Sequence, residues 1–165
     1  EHSPGMEVHN GTLGVGLSTG AGLAMGRKIK KETGEVCVFM SDGELQEGQV
    51  WEALQTCVHH KIDNLWAIVD VNEQQVNGAM KDVMDIGDIA NKIESFGAIV
   101  TEIDGHNFRE IKTAMKKSRD SNGKPNLIIA NTIKGKGISF MEDNNNWHYR
   151  IPNKEELKLA LTELS

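Results

Sequence analysis

The chain has 165 residues, with eighteen Lys and Arg against twenty-four Asp and Glu, a formal charge of −6. That length suits one domain with a packed core, and an acidic chain lacks the basic face that grips a phosphate backbone, so no nucleic-acid partner is expected. No apolar run reaches the roughly 18 residues of a membrane helix, and Glu1-His2-Ser3-Pro4-Gly5 shows no signal-peptide pattern, so the chain reads as cytoplasmic with no membrane partner.

Small residues dominate the first predicted element, a helix from Gly11 to Lys31 with Leu13, Leu17, Ala21, Ala24 and Met25 at helical spacing. Glu35 to Met40 reads as a buried strand ending at Ser41-Asp42-Gly43, and Gln46 to His60 as a helix with Val50, Ala53, Leu54 and Val58 on one face. Leu65 to Val71 is a second apolar strand. A helix at Asp85 to Phe96, a strand at Ala98 to Glu102, a helix at Phe108 to Ser121 and a strand at Asn126 to Thr132 follow. Asn153 opens a last helix, with Glu155 and Glu156 in its first turn to suit the dipole. Strands alternating with helices predict an α/β fold, a parallel sheet flanked by helices on both faces. Cys37, Cys57 and Trp66 are expected in the core, the cysteines as reduced thiols.

Glycine makes up about 10% of the chain against a background of roughly 7%. The residues cluster between Gly11 and Gly26, between Gly43 and Gly48, and at Gly135-Lys136-Gly137, and such clusters mark close approach of backbone to backbone or ligand. Parallel sheets bind ligands beyond the carboxyl ends of their strands, which directs attention to Ser41-Asp42-Gly43 and to Asn72. Two neighbouring parallel strands would bring Asp42 and Asn72 to one sheet edge, where oxygen donors suit Mg²⁺ or Ca²⁺ together with phosphate oxygens. Gly43 would let a diphosphate approach the backbone at the start of a helix. On spacing alone the alternative stands that these are ordinary turn residues.

Asp-Gly followed about thirty residues later by a strand-ending Asn resembles the signature of thiamine-diphosphate enzymes. More narrowly, Ser41-Asp42-Gly43-Glu44-Leu45-Gln46-Glu47-Gly48 with Trp51-Glu52-Ala53 is similar to the transketolase family. So are Gly11-Thr12-Leu13-Gly14-Val15-Gly16-Leu17-Ser18, Asn64-Leu65, Gln75-Val76-Asn77-Gly78, Asp104-Gly105-His106, Lys134-Gly135-Lys136-Gly137 and Trp147-His148. These segments keep the family's order over nearly the whole chain and most resemble the N-terminal subunit of split transketolases. The resemblance implies a single diphosphate-binding domain over residues 1–165, N-terminally truncated relative to the family.

Carried over residue by residue, the resemblance implies that Asp42 and Asn72 ligate Mg²⁺ through their side chains and Gln74 through its backbone carbonyl. Gly43 would contact the diphosphate of thiamine diphosphate, Gly11 and Leu13 would line the diphosphate and the rings, and Glu44 belongs with the cofactor-binding group. His148 would reach the diphosphate and the reacting substrate, and Glu47 and Glu52 would link two active sites through shared protons; for all three, an ordinary exposed side chain is the alternative. His106 is expected to cap or order the helix after it.

The implied function is the thiamine diphosphate- and Mg²⁺-binding component of a two-subunit transketolase. It would move a two-carbon ketol unit from a sugar phosphate to an aldose, as in the pentose phosphate pathway. The other half of the site, with the glutamate that serves the aminopyrimidine, would come from a C-terminal, pyrimidine-binding partner subunit. The expected assembly is a heterotetramer, joined largely through the helices Gly11 to Lys28 and Gln46 to His60. The alternatives are a related thiamine enzyme, such as a deoxyxylulose-phosphate synthase relative, and a non-catalytic cofactor-binding subunit.

Overall fold

The computed structural model describes residues 5–120 and 123–165. In chain order the elements are α1 (Val15–Lys30), β1 (Val36–Ser41), α2 (Gly48–His59), β2 (Leu65–Val71), β3 (Gln74–Gln75), β4 (Gly78–Ala79), α3 (Met80–Met84), α4 (Ile89–Ser95), β5 (Ile99–Asp104), α5 (Phe108–Lys117), β6 (Asn126–Asn131) and α6 (Lys154–Glu163). Four strands pair in the order β1-β2-β6-β5, all parallel, and β3 and β4 form a separate short hairpin. The register sets Ser41 against Asp70 and Val71 against Asn131, so three strands end along one line.

β6 is buried along Asn126–Ala130, as a strand covered on both faces must be. Leu127 and Ile129 join the larger core with residues of α1, α2 and α4. Ile128 and Ala130 join Trp66, Ile103 and Ala114 of α5 on the opposite face. The expected parallel sheet with helices on both faces is therefore what the chain builds, with Trp66 in the core as read. Cys57 is fully buried on α2, where burial pushes its thiol up to about 11.

Cys37 is a correction. On edge strand β1, Val38 and Met40 turn inward, while Cys37 is exposed and Phe39 keeps 70% of its surface open. Among the described residues no helix covers that face of β1, so the reading of Cys37 as core fails.

Several boundaries move for local reasons. α1 starts at Val15 rather than Gly11, because Gly14 has φ 76°, outside helical space. Among its small residues Gly20 serves this chain's own packing: a Cβ there would lie 2.4 Å from Val38 Cγ2 of the sheet beneath. A 3₁₀ turn over Asp42–Gln46 precedes α2, and α4 starts only after Asp88, whose side chain accepts the Asn91 N–H. α5 is capped by Asn107, which accepts from the Arg109 and Glu110 N–H groups. His106 does not cap it: its Nε2 accepts the Ile133 N–H at 2.8 Å, tying the β5 turn to the segment after β6. The expected end of that helix at Ser121 lies outside the described residues. Asn153 opens α6 as read, closing a reciprocal cap with Glu156.

Candidate functional site

The ends of β1 and β2 meet at one buried carboxylate. Asp42 follows β1 directly and is 1% exposed. Its Oδ2 accepts the Asn72 N–H at 3.1 Å and the Glu73 N–H at 2.9 Å, and its Oδ1 accepts the Gly43 N–H at 2.7 Å. Three backbone donors on one carboxylate fix the turn after β1 to the turn after β2. Burial pushes the Asp42 carboxyl above its ordinary range; the Glu73 and Gly43 N–H groups pull it back, and the charge of Asp70 adds to the rise.

Asn72 is held as firmly. Its Nδ2 donates to Asp70 Oδ2 at 2.9 Å, Asp70 Oδ1 takes the Thr132 hydroxyl at the end of β6, and Asn72 Oδ1 accepts the Gln74 N–H at 3.1 Å. The backbone then reverses: Glu73 has φ 58°, and its carbonyl accepts the Met80 N–H at 2.8 Å as the β3–β4 hairpin closes. Asp42 and Asn72 are therefore brought together, as the strand-end argument expects, with Gly43 and Gln74 next to them.

The chemistry of this donor set fits a hard cation beside an anion. Asp42 and Asn72 offer oxygen atoms, and Mg²⁺ is satisfied by one or two such groups plus ligand oxygens and water. Among the described residues no three His, Cys, Asp or Glu form a cage, so a cation here would draw on the Asn, a carbonyl and the ligand. Gly43 has open surroundings: a Cβ built there would meet nothing nearer than Ser41 Oγ at 3.9 Å and Gln75 Nε2 at 4.0 Å. That Gln75 Nε2 is buried with no hydrogen-bond partner among the described residues, a spare donor beside the glycine. A buried donor with nothing to bind is costly unless a ligand meets it.

The remaining site residues lie around this centre. Gly11 and Leu13 are exposed in the loop before α1, and Glu44 accepts the Gly14 and Ser41 N–H groups. Glu47 stands at the N-cap of α2 and, like Glu52 further along that helix, is exposed on this chain. His148 is exposed on the 3₁₀ turn Asn145–His148, its ring edge-on to Tyr149 with centroids 4.7 Å apart. That turn is moored to the hairpin: Asn145 Nδ2 donates to the Gln75 carbonyl at 2.6 Å and the Val76 carbonyl at 3.1 Å, and Gln74 Nε2 donates to Asp143. Sequence reading missed Asp70, Thr132, Asn145 and the amide end of Gln75; Gln75 alone carried a signal, through its place in a family-like motif.

A parallel sheet with helices on both faces, whose strand ends gather an acid, an amide and an open glycine, is an α/β architecture of the kind that takes ligands beyond the carboxyl ends of its strands. Residues 1–164 match the family model described as transketolase, thiamine diphosphate binding domain, and the chain belongs to the transketolase family. It is 41% identical over 162 residues to a subunit of the apulose-4-phosphate transketolase of Actinobacillus succinogenes, covering 98% of this chain and 58% of that protein. It is 35% identical over 160 residues to the 6-deoxy-6-sulfo-D-fructose transketolase subunit SqwG of a Clostridium species, covering 97% of this chain and 58% of that one. The transketolase of Campylobacter jejuni superposes with a TM-score of 0.90 at 30% identity, over 96% of this chain and 26% of that structure. The chain thus spans a little over half the length of these curated relatives.

Proposed function

We propose that the chain is the thiamine diphosphate- and Mg²⁺-binding component of a two-subunit transketolase, which moves a two-carbon ketol unit from a ketose to an aldose. The observation that carries this reading is the buried Asp42 carboxylate binding the turns of β1 and β2 beside Gly43 and the unpartnered Gln75 amide. Asp42, Asn72 and the Gln74 carbonyl would hold the cation, whose charge offsets the diphosphate. Gly43 would lie against the diphosphate, and Gly11 and Leu13 beside it and the rings. When bound, thiamine diphosphate would supply the nucleophilic carbon that ketol transfer needs. This chain's residues hold and orient it: His148 offers a hydrogen bond toward diphosphate and substrate, and Glu47 and Glu52 meet a second active site across a subunit contact.

The relatives from Actinobacillus and Clostridium are both named as subunits of transketolases, which supports a partner for this chain, read as the pyrimidine-binding one. The same names mention an apulose phosphate and a sulfonated deoxyfructose, and so point to sugars other than those of the pentose phosphate pathway. No described helix is long and apolar enough to cross a membrane.

Calorimetry with Mg²⁺ and thiamine diphosphate on the assembled complex tests the site. Asp42→Ala is expected to weaken cofactor binding at least about tenfold, the weight of one charged hydrogen-bonding group. Unchanged affinity removes the metal assignment. Ketol transfer is expected only when the partner is added; turnover by the chain alone overturns the two-subunit reading, and binding without turnover in the presence of the partner favours a non-catalytic role.

A further inference from the structure

Asp42 and Glu44 lie two residues apart on one turn, yet their carboxylates hold different loops. Asp42 takes the N–H groups of Asn72 and Glu73 after β2. Glu44 reaches the other way: its Oε2 accepts the Gly14 N–H at 2.8 Å, and its Oε1 accepts the Ser41 N–H at 3.1 Å. From the first turn of α2, Gln49 Nε2 donates to the Leu13 carbonyl at 2.9 Å. Leu13 and Gly14 are therefore gripped at consecutive residues, an acceptor on one and a donor on the other.

The loop is pressed close by this grip. Gly14 has φ 76°, and a Cβ there would lie 2.7 Å from Glu47 Cβ and 2.9 Å from Gln49 Nε2. Only glycine meets both demands without strain. Both Glu44 oxygens already face backbone donors, and an ionised acceptor makes such bonds about twice as strong as neutral ones.

Resting on the cofactor reading above, we propose that Glu44 and Gln49 are positioning residues rather than cofactor contacts. They fix the Gly11–Gly14 loop against the turn that carries Asp42, so that one rigid unit meets both ends of thiamine diphosphate. The turn would hold the metal and the diphosphate, and the clamped loop would border the diphosphate and line the rings. This division makes a distinction that a general loss of stability would not. Magnesium pyrophosphate needs the turn more than the loop, whereas thiamine diphosphate needs both.

The test uses the assembled complex carrying Glu44→Ala, Glu44→Gln or Gln49→Ala in this chain. Calorimetry compares Mg²⁺-pyrophosphate with Mg²⁺-thiamine diphosphate, and amide exchange is followed at Gly14 without ligand. In Glu44→Ala, exchange at Gly14 is expected to rise about tenfold and thiamine diphosphate affinity to fall about tenfold, from the loss of a charge-assisted bond. Mg²⁺-pyrophosphate affinity should fall clearly less, by no more than about threefold, because its contacts at Asp42 are kept and only the loop's border with the diphosphate is loosened. Glu44→Gln keeps one acceptor oxygen and should fall between wild type and Glu44→Ala, which guards against a variant that merely folds poorly. Equal losses for both ligands, or unchanged thiamine diphosphate binding in Glu44→Ala, overturn the proposal. If the wild-type complex takes up neither ligand, the cofactor reading fails instead, and exchange at Gly14 alone then decides whether Glu44 holds the loop.

Discussion

At the scale of single residues, the acids and amides beside element ends act on the chain's own backbone. Asp42, Glu44, Asp88 and Asn107 all accept main-chain N–H groups there. Asp63 accepts the Gly123 N–H at 3.2 Å and also pairs with Lys28 at 2.6 Å, and that bond to the ammonium holds its carboxyl below the usual 3.8. A carboxyl whose folded pKa is depressed adds stability above the unfolded value and loses it as pH falls through the folded one. The two side chains are 40% and 38% exposed, so solvent screening limits the pair to about 1 kcal/mol or less. Lys28→Met is therefore expected to lower urea-denaturation stability by up to about 1 kcal/mol at neutral pH. The gap should narrow in acid below the depressed pKa, down to what the Lys28 bond to the Lys61 carbonyl contributes; a gap that stays constant through the acid range contradicts this account.

Elements show where packing, not propensity, decides. Gly20 and Gly22 lie on the same helix, two residues apart, in opposite environments. A Cβ at Gly20 would collide with Val38 and lie 3.3 Å from Leu65 Cδ1, whereas a Cβ at Gly22 would meet nothing within 4 Å. Gly20→Ala should destabilise by about 1–3 kcal/mol through overpacking. Gly22→Ala should stabilise by about 0.5–1 kcal/mol through helix propensity. Chemical denaturation of the two variants checks this, and equal shifts would show that α1 does not lie on β1 as described. Both glycines belong to one small-residue pattern in the sequence, which signals close approach without saying to what. The strands were legible because four apolar runs end at Asp, Gly or Asn, and that same punctuation exposed Asp42 and Asn72. The β3–β4 hairpin was not, since Gln74-Gln75 and Gly78-Ala79 carry neither alternation nor apolar weight. Nor was the role of Glu44, because a carboxylate bonding a backbone N–H thirty residues away leaves no periodic trace. Cys37 was misplaced because a covered sheet was assumed at its edge as well as its centre.

For the molecule as a whole, charge placement speaks to assembly. Glu47 and Glu52 are exposed on this chain. Burying two carboxylates at a contact is unfavourable unless they share a proton or find donors. In the proposed assembly Glu47→Gln should weaken association of the complex or slow its activation by cofactor while leaving Mg²⁺ binding intact, read by sedimentation and calorimetry. Wild-type association and activation in that variant would return both glutamates to an ordinary charged helix face.

The open flank of β1 bears on how the chain behaves at high concentration. A strand edge with no partner among the described residues is a template on which another chain can add, and Phe39 stands beside it with 70% of its surface in water. Kept apart from whatever covers that flank, the chain should self-associate as its concentration rises, through strand-to-strand addition rather than through the cofactor face. Phe39→Lys puts a charge on the template and should suppress light scattering in concentrated samples, with folded stability nearly unchanged because the residue it replaces was packed against little. That strand edge is thus also the point from which disorderly growth of the protein would begin.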